Sequence, residues 1–311
     1  MKIVYLGTPD FAVASLDAIH HSSHEVVAVV TVPDRQAGRG QKVIFSPVKQ
    51  YALDHQLPLL QPERLRDPEF LEALRGYQAD IFVVVAFRML PEAVWNMPPY
   101  GTFNLHASLL PAYRGAAPIN WAIIRGEEHT GVTTFLLNHQ IDEGHILLRA
   151  ETPITPDDNA GTLHDRLAEM GRDLVVRTLD GLAAGTLTPT PQQGTPTTAP
   201  KIFKEDTRID FGQPGQRVVD FIRGLAPYPA ATLTLRSPEG EEVPFKIYKA
   251  TFTPAPTGTA KALACDGKKT LKISTNDGFV NILSLQMSGK RKNNVEEFLC
   301  GKNISNWELV D

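Results

Sequence analysis

Short runs of β-branched and apolar residues alternate with segments of helical spacing through most of the first two-thirds of the chain. The runs are expected to be strands and lie at Ile3–Leu6, Val26–Thr31, Ile81–Ala86 and Thr102–Leu105. Helical spacing is found between them, for example at Phe11–His20 and Pro68–Arg75. Strands that alternate with helices form parallel sheets with helices on both faces. The sequence therefore predicts an α/β fold with a Rossmann-like parallel sheet.

A proline-rich segment separates this region from a second one. Gly161–Leu182 has the apolar periodicity of an amphipathic helix, which is expected to end the first domain. The next segment, Gly185–Pro200, is rich in Thr and Pro, which prevent a regular helix or a central strand. A chain of 311 residues is longer than one hydrophobic core usually supports. We expect a catalytic domain at 1–184, a linker at 185–203 and a C-terminal domain at 204–311.

The C-terminal domain is expected to be a small β-barrel. A helix is predicted near Gln213–Gly224, and short runs of strand character follow it. The runs lie at Ala231–Leu235, Phe245–Phe252, Lys261–Ala264, Leu271–Ser274 and Phe279–Leu285. Short strands separated by turn residues are typical of small barrels, and an OB-like fold is the interpretation we favour.

Composition excludes several classes of protein. With 42% hydrophobic and 21% charged residues, the chain is typical of a globular protein. No apolar run approaches the roughly 20 residues that span a bilayer, and the first one is too short for a signal peptide. The two cysteines, Cys265 and Cys300, have no metal-type spacing, which argues against a disulfide framework or structural zinc. We expect a cytoplasmic protein that needs no metal and no membrane, and we take it to be a monomer.

The net charge of −4 is unevenly distributed. Residues 1–199 carry 15 Lys and Arg against 22 Asp and Glu, whereas residues 200–311 carry 16 against 13. A mildly basic C-terminal part is compatible with a phosphate-backbone ligand, because cation–phosphate contacts dominate nucleic-acid affinity.

The turn after the first expected strand does not match a dinucleotide-binding motif. Gly7 is followed by Thr8 and Pro9, without the second and third glycines of that motif. Because Pro9 has no N–H to offer a pyrophosphate, we expect it only to open a helix.

Asn104, His106 and Asp142 are the strongest candidates for catalysis. In a strand, positions i and i+2 face the same side, so Asn104 and His106 can share a pocket, to which Asp142 must come from elsewhere. An amide, an imidazole and a carboxylate together can stabilise an oxyanion and move a proton near neutral pH. The alternative is that Asn104 caps a turn and His106 is an interior histidine.

The segments around these residues resemble the folate-dependent formyltransferases. The resemblance is carried by Gly7–Ala12, Asn104–Pro118 and Asp142–Gly144, and it runs nearly end to end. It implies transfer of the formyl group of 10-formyltetrahydrofolate to an amine, and it is strongest to the members that formylate initiator methionyl-tRNA for translation initiation. Asn104 would then donate to the oxyanion, and His106 would donate to the carbonyl. Asp142 would orient His106, favour its cation and bind a water that relays protons.

The resemblance also implies a folate site, which open α/β sheets place outside the carboxyl ends of their strands. Segments 84–91 and 138–142 are expected to face each other there. The candidate residues are Phe87, Arg88, Met89, Leu90, Ser108, Leu109, Leu110, Pro111, Asn138 and Ile141. Arg88 stands where the family frequently has glycine, and we expect it to fill the pocket rim or form an ion pair there.

A long basic loop follows the second expected strand, where an α/β fold needs only a few residues. It carries Arg35, Arg39, Lys42 and Lys49. Such a loop is either solvated or a mobile arm that contacts phosphates and bases. The resemblance implies entry into the tRNA acceptor arm, with Arg39 probing the first base pair. The cluster Lys290-Arg291-Lys292 allows the same two interpretations.

The three candidate side chains do not identify the amine. A formyltransferase for a sugar nucleotide or for glycinamide ribonucleotide would use the same residues, and a folate hydrolase would use water. A non-catalytic RNA-binding protein is expected to have lost one of the three, and none is lost. The basic loop, the Arg114–Pro118 segment and the C-terminal domain favour methionyl-tRNA.

Overall fold

The computed structural model describes residues 1–37, 42–256 and 261–310. The strands of the first two-thirds of the chain are β1 (Lys2–Gly7), β2 (Glu25–Val30), β3 (Arg35–Ala37), β4 (Lys42–Ile44), β5 (Leu59–Leu60), β6 (Ile81–Val85), β7 (Thr102–His106), β8 (Arg114–Gly115), β9 (His129–Leu136), β10 (Ile146–Pro153) and β11 (Thr198–Ala199). They are followed by β12 (Ala231–Arg236), β13 (Glu242–Pro254), β14 (Leu263–Cys265), β15 (Leu271–Thr275), β16 (Gly278–Met287), β17 (Asn293–Asn294) and β18 (Glu308–Val310). The α-helices are α1 (Asp10–His20), α2 (Pro47–Asp54), α3 (Pro68–Gly76), α4 (Glu92–Trp95), α5 (Pro118–Ile124), α6 (Ala160–Ala183), α7 (Gly215–Leu225) and α8 (Val295–Gly301).

The chain forms two compact units, each built from more than one segment. The first unit comprises Met1–Gly115, His129–Thr152 and His164–Ala199. The second comprises Ala116–Glu128, Pro153–Leu163 and Pro200–Asp311. The boundaries drawn from the sequence at 184 and 203 stay a prediction.

A seven-stranded sheet forms the centre of the first unit, in the order β10-β9-β7-β6-β1-β2-β5. Strands β5, β2, β1, β6 and β7 run parallel, as the alternation of strands and helices predicts. β9 pairs with β7 in the antiparallel direction, which the spacing did not indicate. Residues 3–6 and 81–85 are almost entirely buried, because helices cover both faces of a parallel sheet.

The helices of this unit begin where local chemistry satisfies their first N–H groups. The Ser46 hydroxyl accepts from the Lys49 N–H at the start of α2. The Asp67 carboxylate accepts from the Glu69 N–H at the start of α3. In both helices proline occupies a first-turn position, where its missing N–H costs no intrahelical bond.

β7 lies between β6 and β9, and its two faces differ. Phe103 and Leu105 are buried on one face. A Cβ atom at Gly171 of α6 would lie only 2.5 Å from Leu105 Cδ2, so the absence of a side chain there lets α6 approach the strand closely. The other face of β7 carries Asn104 and His106, the two candidate catalytic residues of this strand.

The second unit contains a nearly closed antiparallel β-barrel, in agreement with the predicted small barrel. Its sheet order is β14-β15-β16-β13-β12-β18, and β17 pairs with β16. Pairing of β13 with β16 shifts register between Ile247 and Ala250, and such irregularities bend a strand as barrel closure requires. α7 packs against this sheet, and the Asp277 carboxylate accepts from the Gly215 N–H at 2.9 Å at the start of the helix. This bond helps to hold the pKa of Asp277 below its usual value.

The described ends of the basic loop form a β-hairpin, with β3 and β4 antiparallel. Val43 and Ile44 on β4 are more than half exposed. No helix among the described residues combines the length and the apolar character that crossing a membrane requires.

Candidate active site

β7 places Asn104 and His106 on the same face of the sheet, two residues apart. Asn104 pairs with Val84 on β6 and with Phe135 on β9, and His106 pairs with Thr133. The strand is therefore fixed from both sides, and the two side chains project from a rigid element. The His106 side chain is only 7% exposed, which leaves it little freedom to rotate.

The hydrogen bond of His106 defines which ring nitrogen faces the site. Nε2 lies 2.8 Å from the carbonyl oxygen of Tyr113 in a buried contact. A carbonyl can only accept, so Nε2 carries the hydrogen and donates. Nδ1 is the nitrogen on the side of Asp142, 3.9 Å from Oδ2. In neutral His106 that atom holds a lone pair, and in the cation it is a second donor.

The Tyr113 carbonyl is held by a tightly bonded loop. Tyr113 has a left-handed backbone with φ of 61°. Its N–H donates to Thr197 Oγ1 at 2.9 Å, and the Arg114 N–H donates to the Thr197 carbonyl at 2.9 Å. β8 then pairs with β11. Thr197 thus helps to orient His106. No sequence pattern indicates this role, because Thr197 lies in the proline-rich segment.

Asp142 approaches His106 from the loop that follows β9. Its Oδ2 accepts from the Gly115 N–H at 2.8 Å, and its side chain is 13% exposed. Its backbone φ is 54°, in the left-handed region. Two residues later, a Cβ atom at Gly144 would lie 1.5 Å from the Leu136 carbonyl oxygen, so only glycine fits this turn. The carboxylate therefore has a defined position beside the imidazole.

The amide of Asn104 makes no hydrogen bond with any residue in the described part of the chain. Its Oδ1 atom is buried and without a partner. Buried polar groups in folded proteins are nearly always paired, and exceptions are frequent where a ligand or water binds. Asn104 is thus available to a bound molecule.

Residues 87–90 follow β6, as predicted, after Ala86 with φ of 47°. Met89 is 73% exposed, whereas Leu90 is buried in the core. The backbone N–H and C=O groups of Arg88 and Met89 form no hydrogen bond with other described residues. They are therefore free to pair with a ligand.

Of the two expectations for the Arg88 side chain, the ion pair is not found among the described residues. Its guanidinium donates to the carbonyl oxygen of Glu63 at 2.8 Å and to that of Pro62. It forms no ion pair with the described residues, and partial burial lowers its pKa from the ordinary value. The side chain is held by a neighbouring loop because its planar group fits two adjacent carbonyls.

The facing loop is close to this segment. Asn138 Oδ1 accepts from the Gln140 N–H at 2.9 Å, and Ile141 is 61% exposed. The His139 ring contacts Trp95 edge to face, with 5.2 Å between ring centroids. Leu137 packs against the cluster that contains Leu90 and against the cluster that contains Leu110. The structure therefore brings the predicted folate segments together.

Segment 108–111 contributes mainly to the protein interior. The Ser108 hydroxyl donates to the Ala112 carbonyl at 2.6 Å, and Leu110 is buried against Phe135. The Leu110 N–H donates to Thr133 Oγ1 at 3.2 Å. Leu109 and Pro111 are half-buried. Ser108 and Leu110 thus use their polar and apolar groups within the fold.

The predicted RNA-binding cations differ in their surroundings. Arg35 is exposed on β3, whereas Arg39 and the Lys42 side chain lie outside the described residues. Lys49 lies in α2, and its Nζ is 2.6 Å from Asp34 Oδ2 and 4.0 Å from the centroid of the Phe45 ring. This contact also lowers the pKa of Asp34. Lys49 is buried and paired, so it does not fit the predicted role of an arm cation.

The second predicted cluster lies on the turn after β16 in the second unit. Lys290, Arg291 and Lys292 are exposed. Lys292 Nζ lies 4.4 Å from the centroid of the Tyr248 ring, a cation–π distance. The cluster thus offers three cations to solvent, one of which lies over an aromatic ring.

An amide without a partner beside an imidazole–carboxylate pair is an arrangement for carbonyl chemistry on an α/β scaffold. Among the described residues no group of His, Cys, Asp or Glu is arranged to hold a metal ion. The pattern of the formyl transferase family matches residues 1–179, and that of the formyl transferase C-terminal domain matches residues 201–303. The chain belongs to the formyl transferase family.

Similar proteins of established name cover nearly the whole chain. The methionyl-tRNA formyltransferase of Bacteroides fragilis is 53% identical, over 98% of this chain and 96% of its own. That of Flavobacterium johnsoniae is 47% identical, over 100% and 99%.

Among solved structures, the sugar 3N-formyl transferase WlaRD has a TM-score of 0.67 at 20% identity, over 94% of this chain and 99% of its own. HypX from Aquifex aeolicus, in complex with tetrahydrofolic acid, has a TM-score of 0.63 at 22% identity, over 100% and 50%. At these identities the two structures establish the common fold.

Replacing Gly144 by alanine is expected to displace the Asp142 loop. The added Cβ would meet a backbone oxygen that cannot move without disturbing β9, so the free energy of unfolding should fall by about 1–3 kcal/mol or more. Urea denaturation measures this change. Gly76→Ala is the control, because no atom lies within 4 Å of a Cβ built there. Equal stability of Gly144→Ala and the parent would contradict the assignment of the turn.

Proposed function

We propose that this chain transfers the formyl group of 10-formyltetrahydrofolate to the amino group of methionyl-tRNA. The observation that carries the proposal is the 53% identity to a methionyl-tRNA formyltransferase over almost the full length of both chains. The geometry of Asn104, His106 and Asp142 gives the proposal a chemical basis. In the reaction the amine nitrogen bonds to the formyl carbon, the bond from that carbon to N10 breaks, and a proton passes from the ammonium to N10.

Asn104 is proposed to bind the developing oxyanion. Its Oδ1 has no partner and its Nδ2 donates to no described residue, so no internal bond must break before the substrate carbonyl binds Nδ2. An amide N–H held on a rigid strand is pre-organised, which is the condition under which such donors lower an activation barrier most.

His106 is proposed to donate from Nδ1 to the same carbonyl. The Tyr113 carbonyl occupies Nε2, so a proton added to the ring goes to Nδ1. The Asp142 carboxylate lies 3.9 Å from that atom and is proposed to orient the ring. A water bound to Asp142 is proposed to relay the proton from the amine to N10.

The folate is proposed to bind between residues 87–90 and the 138–141 loop. Unpaired backbone groups at Arg88 and Met89 suit the donor and acceptor edge of a pterin. The exposed Met89 and Ile141 side chains offer apolar contacts to a ring. Phe87, Leu109 and Pro111 remain proposed folate contacts. Ser108 and Leu110 remain proposed contacts as well, although the Ser108 hydroxyl already bonds to Ala112 and the Leu110 side chain packs in the interior.

The RNA is proposed to contact cations of the basic loop and of the barrel. Arg35, Arg39 and Lys42 belong to the basic loop, and Lys290, Arg291 and Lys292 belong to the barrel. Lys49 is left out because Asp34 already neutralises it. Such cations supply affinity and register on a nucleic acid rather than base identity.

The proposed function is tested by offering the protein 10-formyltetrahydrofolate with different amines. The amines are initiator Met-tRNA, an amino-sugar nucleotide and glycinamide ribonucleotide, with a no-amine sample to measure hydrolysis. We expect rapid formylation of the Met-tRNA and little of the others. Transfer to the sugar or to glycinamide ribonucleotide alone would overturn the proposal, and hydrolysis without transfer would assign the chain as a folate hydrolase.

Replacing Asn104 by aspartate tests the oxyanion donor. The side chain keeps its shape but loses both N–H groups, so kcat for Met-tRNA formylation should fall about a hundredfold or more. Folate binding, measured by calorimetry with tetrahydrofolate, should change much less because the donor acts on the transition state. An unchanged kcat would remove Asn104 from the mechanism.

Replacing Arg39 by alanine tests the hairpin region. The variant should use charged tRNA less well, with a higher KM and a weaker dependence on salt, while slow hydrolysis of the formyl folate is unchanged. Arg66→Ala is the matched control, because Arg66 is an exposed arginine outside the proposed surface. Equal losses of transfer and hydrolysis in Arg39→Ala would count against a role in RNA binding.

A further inference from the structure

We infer that Gln192 is a positioning residue, which sets the orientation of Asp142 for formyl transfer. Gln192 lies in the proline-rich segment that the sequence predicts to be a linker, and it is half-buried within the first unit. The inference rests on the proposed function, because it assigns a further residue to the same reaction.

The amide of Gln192 is fully bonded on both sides. Nε2 donates to the Asp142 carbonyl at 2.7 Å and to the Gly144 carbonyl at 3.0 Å. Oε1 accepts from Arg114 Nη2 at 2.7 Å and from Arg114 Nε at 3.3 Å. A glutamine amide has two N–H donors and two acceptor lone pairs, and all four are used here.

The two donor bonds act on the backbone that carries the carboxylate. Asp142 has φ of 54°, a conformation that residues other than glycine seldom adopt and that the surroundings must maintain. Bonds to the carbonyls of Asp142 and Gly144 fix the 142–143 and 144–145 peptide planes, which lie before Glu143 and after Gly144. The direction of the Asp142 side chain is thereby set toward the Gly115 N–H and His106 Nδ1.

The two acceptor bonds act on the loop that holds the imidazole. Arg114 stands between Tyr113, whose carbonyl holds His106, and Gly115, whose N–H holds Asp142. The Arg114 guanidinium also pairs with Glu143 Oε1 at 2.8 Å. One glutamine side chain therefore joins both loops that present the reacting groups.

None of the described bonds of Gln192 reaches Asn104 or His106. Its contribution must pass through Asp142 and Arg114, so it is expected to alter the rate of the chemical step more than substrate binding. Loss of the Gln192 bonds is expected to displace the Asp142 carboxylate. The displacement would weaken its interaction with His106 and move the water proposed to relay the proton.

The test replaces Gln192 by glutamate in the full chain. Gln192→Glu keeps the length but sets a carboxylate oxygen against two carbonyl oxygens, and kcat for Met-tRNA should fall roughly tenfold to a hundredfold. The KM values for both substrates should stay nearly constant. Gln193→Glu is the matched control, because Gln193 is exposed and the substitution adds the same charge one residue away. It should leave kcat unchanged.

A double-mutant cycle separates positioning from a merely structural role. In a chain that already carries Asp142→Ala, Gln192→Glu should cause no further loss of rate, because the group it positions is gone. Independent, additive losses would overturn the inference, as would an unchanged kcat in Gln192→Glu. Gln192→Met, which removes the polar atoms without adding charge, is the second variant. If both variants fail to fold while Gln193→Glu folds, Gln192 serves stability alone and the inference is overturned.

The unaltered chain separates this inference from the proposed function. Absence of formyl transfer by the parent protein would overturn both. Transfer by the parent together with full activity of Gln192→Glu would overturn only the assignment of Gln192.

Discussion

The hydrogen bond from the Gly115 N–H to the Asp142 carboxylate, 2.8 Å long, holds together two loops that lie 27 residues apart in the sequence. It depends on glycine at position 115 for two reasons. The φ of 123° is strained for any other residue, and a Cβ there would lie 2.6 Å from the Ala199 carbonyl oxygen. Glycine at position 115 therefore allows the Ala199 backbone to approach closely. The same turn directs the N–H that positions the Asp142 carboxylate.

Backbone strain is concentrated around this hydrogen bond. Seven described residues other than glycine have positive φ, and three of them, Ala86, Tyr113 and Asp142, lie on the loops of the site. Each such residue costs on the order of 1–3 kcal/mol and persists only where its neighbours impose the conformation. Thr197 holds Tyr113 by a side-chain bond, and Gly144 permits the turn after Asp142. Contacts in the surrounding fold therefore offset the free-energy cost of the strained backbone in the site.

The sequence predicted the elements well where local pattern decides them, and poorly where long-range bonds decide. Period-two alternation on β7 placed Asn104 and His106 on one face, because side-chain direction in a strand is a local property. The antiparallel direction of β9 was missed, since pairing direction depends on the course of the chain between strands. The sequence pattern predicts Lys49 as an arm cation and Arg88 as a pocket residue, but Lys49 binds Asp34 and Arg88 binds the carbonyls of residues 62–63. Composition assigned 185–203 to a linker, although Thr197 bonds to the site loops.

The choice of amine cannot reside in the fold. WlaRD, a sugar formyl transferase, shares the fold at a TM-score of 0.67 with 20% identity, so the same scaffold accommodates a different acceptor. Nor would Asn104, His106 and Asp142 distinguish acceptors, because each is proposed to act on the formyl carbonyl or on a proton. Selection of an aminoacylated RNA must come from groups that contact the RNA beyond its reactive end. The exposed Arg35 and the barrel cations Lys290, Arg291 and Lys292 are the groups we propose for this role, and none of them has a carboxylate partner among the described residues.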